Sequence, residues 1–130
     1  MDLQIKGKTA LVTGSTVGIG FAIAAELARE GAVVTINGRS QAGVDAALAR
    51  LRQQVPGARV SGVAADLASA AGCAELFAAC PQAEIVVNNL GIFDPSPFEA
   101  IADSEWQRFF DTNVMRSEER RVGKECRSRW

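Results

Sequence analysis

The order of apolar segments along the chain predicts an α/β fold: a doubly wound parallel sheet of four strands in spatial order 3-2-1-4. Three observations carry this expectation. Four short runs rich in β-branched residues, at 9–13, 33–37, 60–64 and 84–88, are nearly continuous in apolar character. Strands covered on both faces read that way, whereas half-exposed strands alternate. Helical patterns separate the runs in strict succession, and a parallel neighbour is reached only by crossing over a face of the sheet. A glycine-rich turn stands between the first strand and the first helix, the arrangement with which doubly wound sheets open.

Taken in order, Thr9 to Thr13 is the first strand and Val33 to Asn37 the second. Residues 41 to 53 follow as a helix, because Val44, Ala47, Leu48 and Leu51 recur at spacings of three and four and form one inward stripe. Val60 to Ala64 is the third strand. After Leu67, Ser69 is placed to cap a helix in which Cys73, Leu76, Phe77 and Cys80 share a face. Both thiols are read as small core hydrophobes, with no histidine to complete a metal site. Pro81 closes that helix, and Glu84 to Asn88 is the fourth strand. Gly91 to Ser104, with Pro95 and Pro97, reads as a loop. A last helix starts near Asp103 or Ser104, where Ser104-Glu105-Trp106-Gln107 fits a capping box. Its apolar face is Trp106, Phe109 and Phe110, and Asn113 falls on the same stripe.

Composition sets the boundaries. With 130 residues, 48% hydrophobic and a net charge of −1, the chain holds material for one domain core. A near-neutral balance argues against coating nucleic acid, and no apolar run reaches the roughly 18 residues that span a bilayer. The N-terminus lacks the pattern of a signal peptide. Three cysteines without C-x-x-C spacing argue against a disulfide framework and fit a cytoplasmic location. There is no histidine and no tyrosine. Charge is uneven: residues 1–115 hold 8 basic and 12 acidic residues, residues 116–130 hold 6 basic and 3 acidic. The expected division is therefore a domain over 1–115 and a basic tail over 116–130.

The chemistry concentrates in Thr13-Gly14-Ser15-Thr16-Val17-Gly18-Ile19-Gly20. Gly14 permits a sharp turn off the strand, Gly18 lets a diphosphate approach the backbone, and Gly20 lets the helix lie close on the sheet. Unpaired amides and the positive end of the helix dipole favour an anion there. At the end of the second strand, Asn37-Gly38-Arg39-Ser40 offers no acid for a ribose diol. Arg39 instead suits a 2′-phosphate, so NADP is expected over NAD; the alternative is a solvated surface arginine. Asp66, followed by Leu67, either accepts a hydrogen bond from an adenine amino group or caps the next helix. Asn88-Asn89-Leu90-Gly91 can knit the fourth strand end to its neighbours. Asn113, if buried, must bond to backbone or serve a site.

Together Thr13-Gly14-x-x-x-Gly18-Ile19-Gly20, Asp66, Asn88-Asn89-Leu90-Gly91 and Asn113 resemble the short-chain dehydrogenase/reductase family over residues 5 to 115. The resemblance implies a Rossmann fold, a nicotinamide dinucleotide and hydride transfer between that cofactor and a small carbonyl or alcohol, in a parent enzyme that forms a homo-oligomer. It implies that Gly14, Ser15, Thr16, Gly18, Ile19 and Gly20 hold the diphosphate, Arg39 the 2′-phosphate, Asp66 and Leu67 the adenine, and Asn88 with Gly91 the adenosine side. Asn113 matches the helix asparagine that helps anchor a proton-relay water. Leu90 departs from the alanine usual at its position. The family's catalytic serine and Tyr-x-x-x-Lys pair lie downstream of the Asn113 position, and this chain has no tyrosine. The expected function is an oxidoreductase chain truncated before its catalytic pair and inactive by itself; the alternative is a non-catalytic dinucleotide-binding module. Arg116 to Trp130 resembles the in-frame translation of a sequencing adapter, which would make that segment an artefact; the alternative is a genuine basic tail that binds nucleic acid or acidic partners.

Overall fold

A computed structural model describes residues 2–115. The segment 116–130, including the expected artefactual tail and its boundary, lies outside the described residues. Strand β1 (Thr9–Val12) leads through the glycine turn into helix α1 (Gly18–Arg29), then β2 (Val33–Gly38), α2 (Gln41–Gln54), β3 (Val60–Ala64), α3 (Ala70–Ala79) and β4 (Ile85–Val87). A loop with one 3-10 turn (Phe98–Ala100) precedes α4 (Asp103–Phe110), which widens into a π turn over Asp111–Met115.

The four strands form one parallel sheet in the order β3-β2-β1-β4. Thr9 lies opposite Val33, Ala10 opposite Ile85, and Val34 opposite Val60. This register aligns the strand ends that carry Thr13, Asn37 and Asn89. Successive side chains point to opposite faces, which explains why the strands read as continuous apolar runs. Ala10, Val12, Val34 and Ile36 pack with Phe21, Ala24 and Ala28 of α1 and with Val44, Ala47 and Leu51 of α2. Leu11 packs on the other face with Ala65, Leu67, and Cys73 and Leu76 of α3. Each fully buried Leu or Val contributes about 1.5–3 kcal/mol by leaving water. Cys73 belongs to that second core, as its spacing predicts. Cys80 ends α3 as its C-cap and is half-buried, and burial pushes its thiol pKa up despite a hydrogen bond with Thr35.

The β4 edge is held at its start by a small polar clamp. Lys8 Nζ donates to Glu84 Oε1 at 2.9 Å, and the Thr9 amide donates to Glu84 Oε2 at 3.0 Å. The Lys8 hydrogen bond first, and the Thr9 amide second, hold the Glu84 carboxyl below its ordinary value. A lowered folded-state pKa stabilises the fold above the unfolded value and loses that contribution as pH falls through the folded one. The melting-temperature difference between wild type and Glu84→Gln is therefore expected to shrink as pH falls below about 4.3. A difference constant from pH 7 to 3 would remove the clamp from the account.

The last helix departs from expectation in two ways. No capping box forms: the N-cap is Ala102, without a side-chain cap, so Ser104 sits inside the first turn, with Asp103 and Glu105 at the positive end of the dipole. Its apolar face is only partly covered, with Trp106 52% and Phe110 50% exposed and Phe109 half-buried. The helix is tied instead to the loop before it, through an edge-on contact of the Phe98 and Trp106 rings and an Arg108–Asp94 ion pair.

Candidate dinucleotide site

The carboxyl ends of β1, β2 and β4 meet at the glycine turn, and three polar side chains bolt them together. Thr13 is fully buried. Its amide donates to Val87 O at 3.1 Å, while its hydroxyl donates to the same carbonyl at 3.3 Å and accepts from the amides of Asn89 and Leu90, both at 3.1 Å. Asn89 returns the connection: its side-chain amide donates to Thr13 O at 3.2 Å and Gly14 O at 3.0 Å. On the opposite side, Asn37 Oδ1 accepts from the Gly14 amide at 3.3 Å. Asn37 Nδ2 donates to Val63 O and Ala65 O, each at 3.2 Å.

Ser15 belongs to this scaffold and not to the ligand face. It is fully buried; its hydroxyl donates to Val12 O at 2.6 Å and accepts from the Asn37 amide at 3.0 Å, while its own amide donates to Asn37 O at 2.9 Å. Amide and hydroxyl are both engaged inside the protein, so Ser15, expected at the diphosphate, shapes the turn.

The turn itself presents an anion cradle. Gly14 and Gly18 take φ of +58° and +60°, a region that disfavours residues with a Cβ. Around Gly18 the space where a Cβ would stand is open, with nothing within 4 Å. The N-cap of helix α1 is Val17, whose side chain makes no cap, and no acid lies in the first turn. Phe21 N reaches back to Val17 O at 3.4 Å. The first-turn amides of Gly18, Ile19 and Gly20 therefore have no acceptor within the helix and lie at the positive end of its dipole, with Gly18 and Ile19 exposed and Gly20 buried. Gly20 is the close-approach position: an added Cβ would stand 2.5 Å from Asn89 Nδ2 and from Gly14 O, and 2.9 Å from Ser15 Cα. A diphosphate fits this donor set in charge and in room.

Around the cradle, Thr16 is half-buried against Gly38, Val17 and Ile19 are exposed, and Arg39 is exposed at the end of β2. Arg39 forms no ion pair among the described residues. Ser40 beside it caps α2, accepting from the Gly43 amide at 3.2 Å. Asp66 is exposed past β3, and its Oδ1 accepts from the Ala68 amide at 3.0 Å. Helix α3 is capped instead by Ser69, whose hydroxyl accepts from Gly72 N at 3.1 Å, so the capping alternative for Asp66 falls away. Leu67, expected beside the adenine, is buried in the core with Cys73 and Leu76 of α3. Asn88 and Gly91 are exposed beyond β4.

Asn113 is also exposed. A π turn closes i to i+5, which rotates it off the stripe that starts at Trp106. Its Oδ1 accepts from Ile92 N at 2.8 Å and its Nδ2 donates to Ile92 O at 3.1 Å. Of the two roles expected for this amide, the backbone contact is the one present, and it fastens the last helix to the strand-end loop. Thr13, Asn37 and Asn89 carry more of the site's geometry than sequence reasoning assigned them.

The model of the short chain dehydrogenase family matches residues 8–116. An uncharacterized oxidoreductase of Bacillus subtilis, YvaG, is 52% identical over 115 residues, covering 88% of this chain and 44% of its own length. D-beta-hydroxybutyrate dehydrogenase of Cupriavidus necator is 39% identical over 115 residues, 85% of this chain and 44% of that protein. Among solved structures, L-sorbose reductase from Gluconobacter frateurii, complexed with NADPH and L-sorbose, superposes with a TM-score of 0.87 at 34% identity, over 95% of this chain and 48% of that one. The chain thus spans less than half the length of these relatives.

Proposed function

The chain belongs to the short-chain dehydrogenase family, and from that premise we propose that it is the NADP-holding part of an oxidoreductase that transfers hydride between the nicotinamide and a small carbonyl or alcohol. The observation that carries this reading is the uncapped start of α1 beside the open space at Gly18. Amides of Gly18, Ile19 and Gly20 would hold the diphosphate, with Gly14 and Thr16 shaping its approach. Arg39 would pair with the 2′-phosphate, and Asp66 would accept from the adenine amino group while Asn88 and Gly91 border the adenosine. A bound dinucleotide would donate the hydride to a carbonyl in its reduced form, or accept it from an alcohol in its oxidised form. Asn113 would hold the last helix in place beside that crevice.

These 130 residues contain no tyrosine, so the reading assigns nucleotide binding to this chain and not turnover. The relatives include a hydroxy-acid dehydrogenase, a hydroxysteroid dehydrogenase and a sugar reductase, which supports an alcohol or carbonyl compound as the whole enzyme's substrate.

Affinity for NADPH and NADH, read by nicotinamide fluorescence, tests the reading. Wild type is expected to prefer NADPH. Arg39→Ala is expected to lower NADPH affinity about tenfold, the loss of roughly 1.4 kcal/mol from one charge-assisted phosphate contact, and to leave NADH affinity unaltered. An unchanged NADPH preference would remove Arg39 from the site, and hydride transfer by the 130-residue chain to a panel of carbonyl compounds would contradict the binding-only assignment.

A further inference from the structure

In sites that accept NAD, an acid at the end of the second strand takes hydrogen bonds from the adenosine ribose diol. Gly38 holds that place, and a side chain there would run into Thr16 of the glycine turn. Gly38 is buried, and a Cβ added there would collide with Cγ2 of Thr16, with Val44 Cγ2 at 3.3 Å and Thr16 Oγ1 at 3.5 Å. Thr16 belongs to the glycine turn and is itself half-buried. As a β-branched residue it is stiff at χ1, so the methyl group does not swing aside freely. The neighbouring polar side chain cannot replace the acid either, since Asn37 spends its amide on Gly14 N, Val63 O and Ala65 O.

Resting on the NADP reading above, we propose that Thr16 is a specificity-determining residue: its methyl group keeps position 38 free of a side chain, so the ribose diol meets no carboxylate and the 2′ position is left to Arg39. Cofactor choice is then set twice, by attraction at Arg39 and by steric exclusion between the glycine turn and the end of β2. The exclusion makes positions 16 and 38 interdependent. Thr16→Ser removes the colliding methyl and keeps the hydroxyl, whose 3.5 Å separation is ordinary contact; Val44 then has only a few tenths of an ångström to yield.

The test is a double-mutant cycle on the full chain with wild type, Thr16→Ser, Gly38→Asp and the double variant. NADPH and NADH affinities are measured by fluorescence, and melting temperatures without nucleotide. Gly38→Asp alone is expected to melt lower and to bind NADH no better than wild type does. The double variant is expected to recover most of the melting temperature and to bind NADH about tenfold more tightly than Gly38→Asp, a gain of about 1.4 kcal/mol, while its NADPH affinity stays below that of wild type. Additive changes, with Gly38→Asp melting like wild type and binding NADH as tightly as the double variant, would overturn the proposal. A wild type that prefers NADH would overturn the NADP reading instead, and the melting cycle then still decides whether Thr16 blocks position 38.

Discussion

Replacing Gly20 with alanine is expected to lower NADPH affinity at least about 100-fold, or roughly 2.7 kcal/mol, and to destabilise the fold by about 3 kcal/mol through overpacking. The added methyl would stand 2.5 Å from Gly14 O and 2.9 Å from Ser15 Cα, both backbone atoms, and 2.5 Å from Asn89 Nδ2. None of the three is the loose end of a flexible side chain. Asn89 Nδ2 is fixed by its bonds to Thr13 O and Gly14 O, and Ser15 by its pairing with Asn37. Relief comes only from lifting the start of α1 off the turn, which moves the very amides that would meet the diphosphate. Urea melts and a nucleotide titration read the two effects separately. A variant within about threefold of wild type in affinity would show that the close approach is not needed.

Thr13→Val is expected to cost about 2–3 kcal/mol of stability while changing the side-chain volume very little. The hydroxyl accepts two amides and donates to Val87 O. After its loss the Asn89 amide keeps Val87 O as an acceptor at 3.1 Å, but the Leu90 amide has no second acceptor among the described residues. A donor left without a partner costs on the order of 1–3 kcal/mol when buried, and this one is part-buried. Thr13→Ser restores the hydroxyl and should recover most of the loss. The urea midpoint is expected to fall with an unchanged slope; a loss under about 0.5 kcal/mol, the range of an ordinary surface change, would mean that the strand ends are joined some other way.

What was legible in the sequence follows from which signals are local. The strand runs, their parallel order and the glycine turn depend on period and on residue type at fixed spacing, so the sheet β3-β2-β1-β4 and the cradle at Gly14, Gly18 and Gly20 could be read directly. The direction of polar side chains could not. Ser15 sits in the glycine motif, yet the positive φ at Gly14 turns it inward toward Asn37. Thr13, Asn37 and Asn89 close three strands that the expected order places side by side, and buried polar groups must find partners. That juxtaposition was the available signal for their joint role. The last helix shows the opposite limit: an amphipathic stripe reports which face a helix could bury, and nothing in that stripe of Trp106 and Phe110 says what lies against it. The capping box at Ser104 failed because the chain leaves the 3-10 turn early enough for the helix to begin at Asp103.

A titration of NADPH into 15N-labelled chain, followed by amide NMR, tests the central claim most directly. Saturable shifts are expected at the amides of Gly18, Ile19 and Gly20, with a second group at Gly38 to Ser40 that weakens when NADH replaces NADPH. Well-dispersed spectra in which those amides stay still at millimolar nucleotide would contradict it.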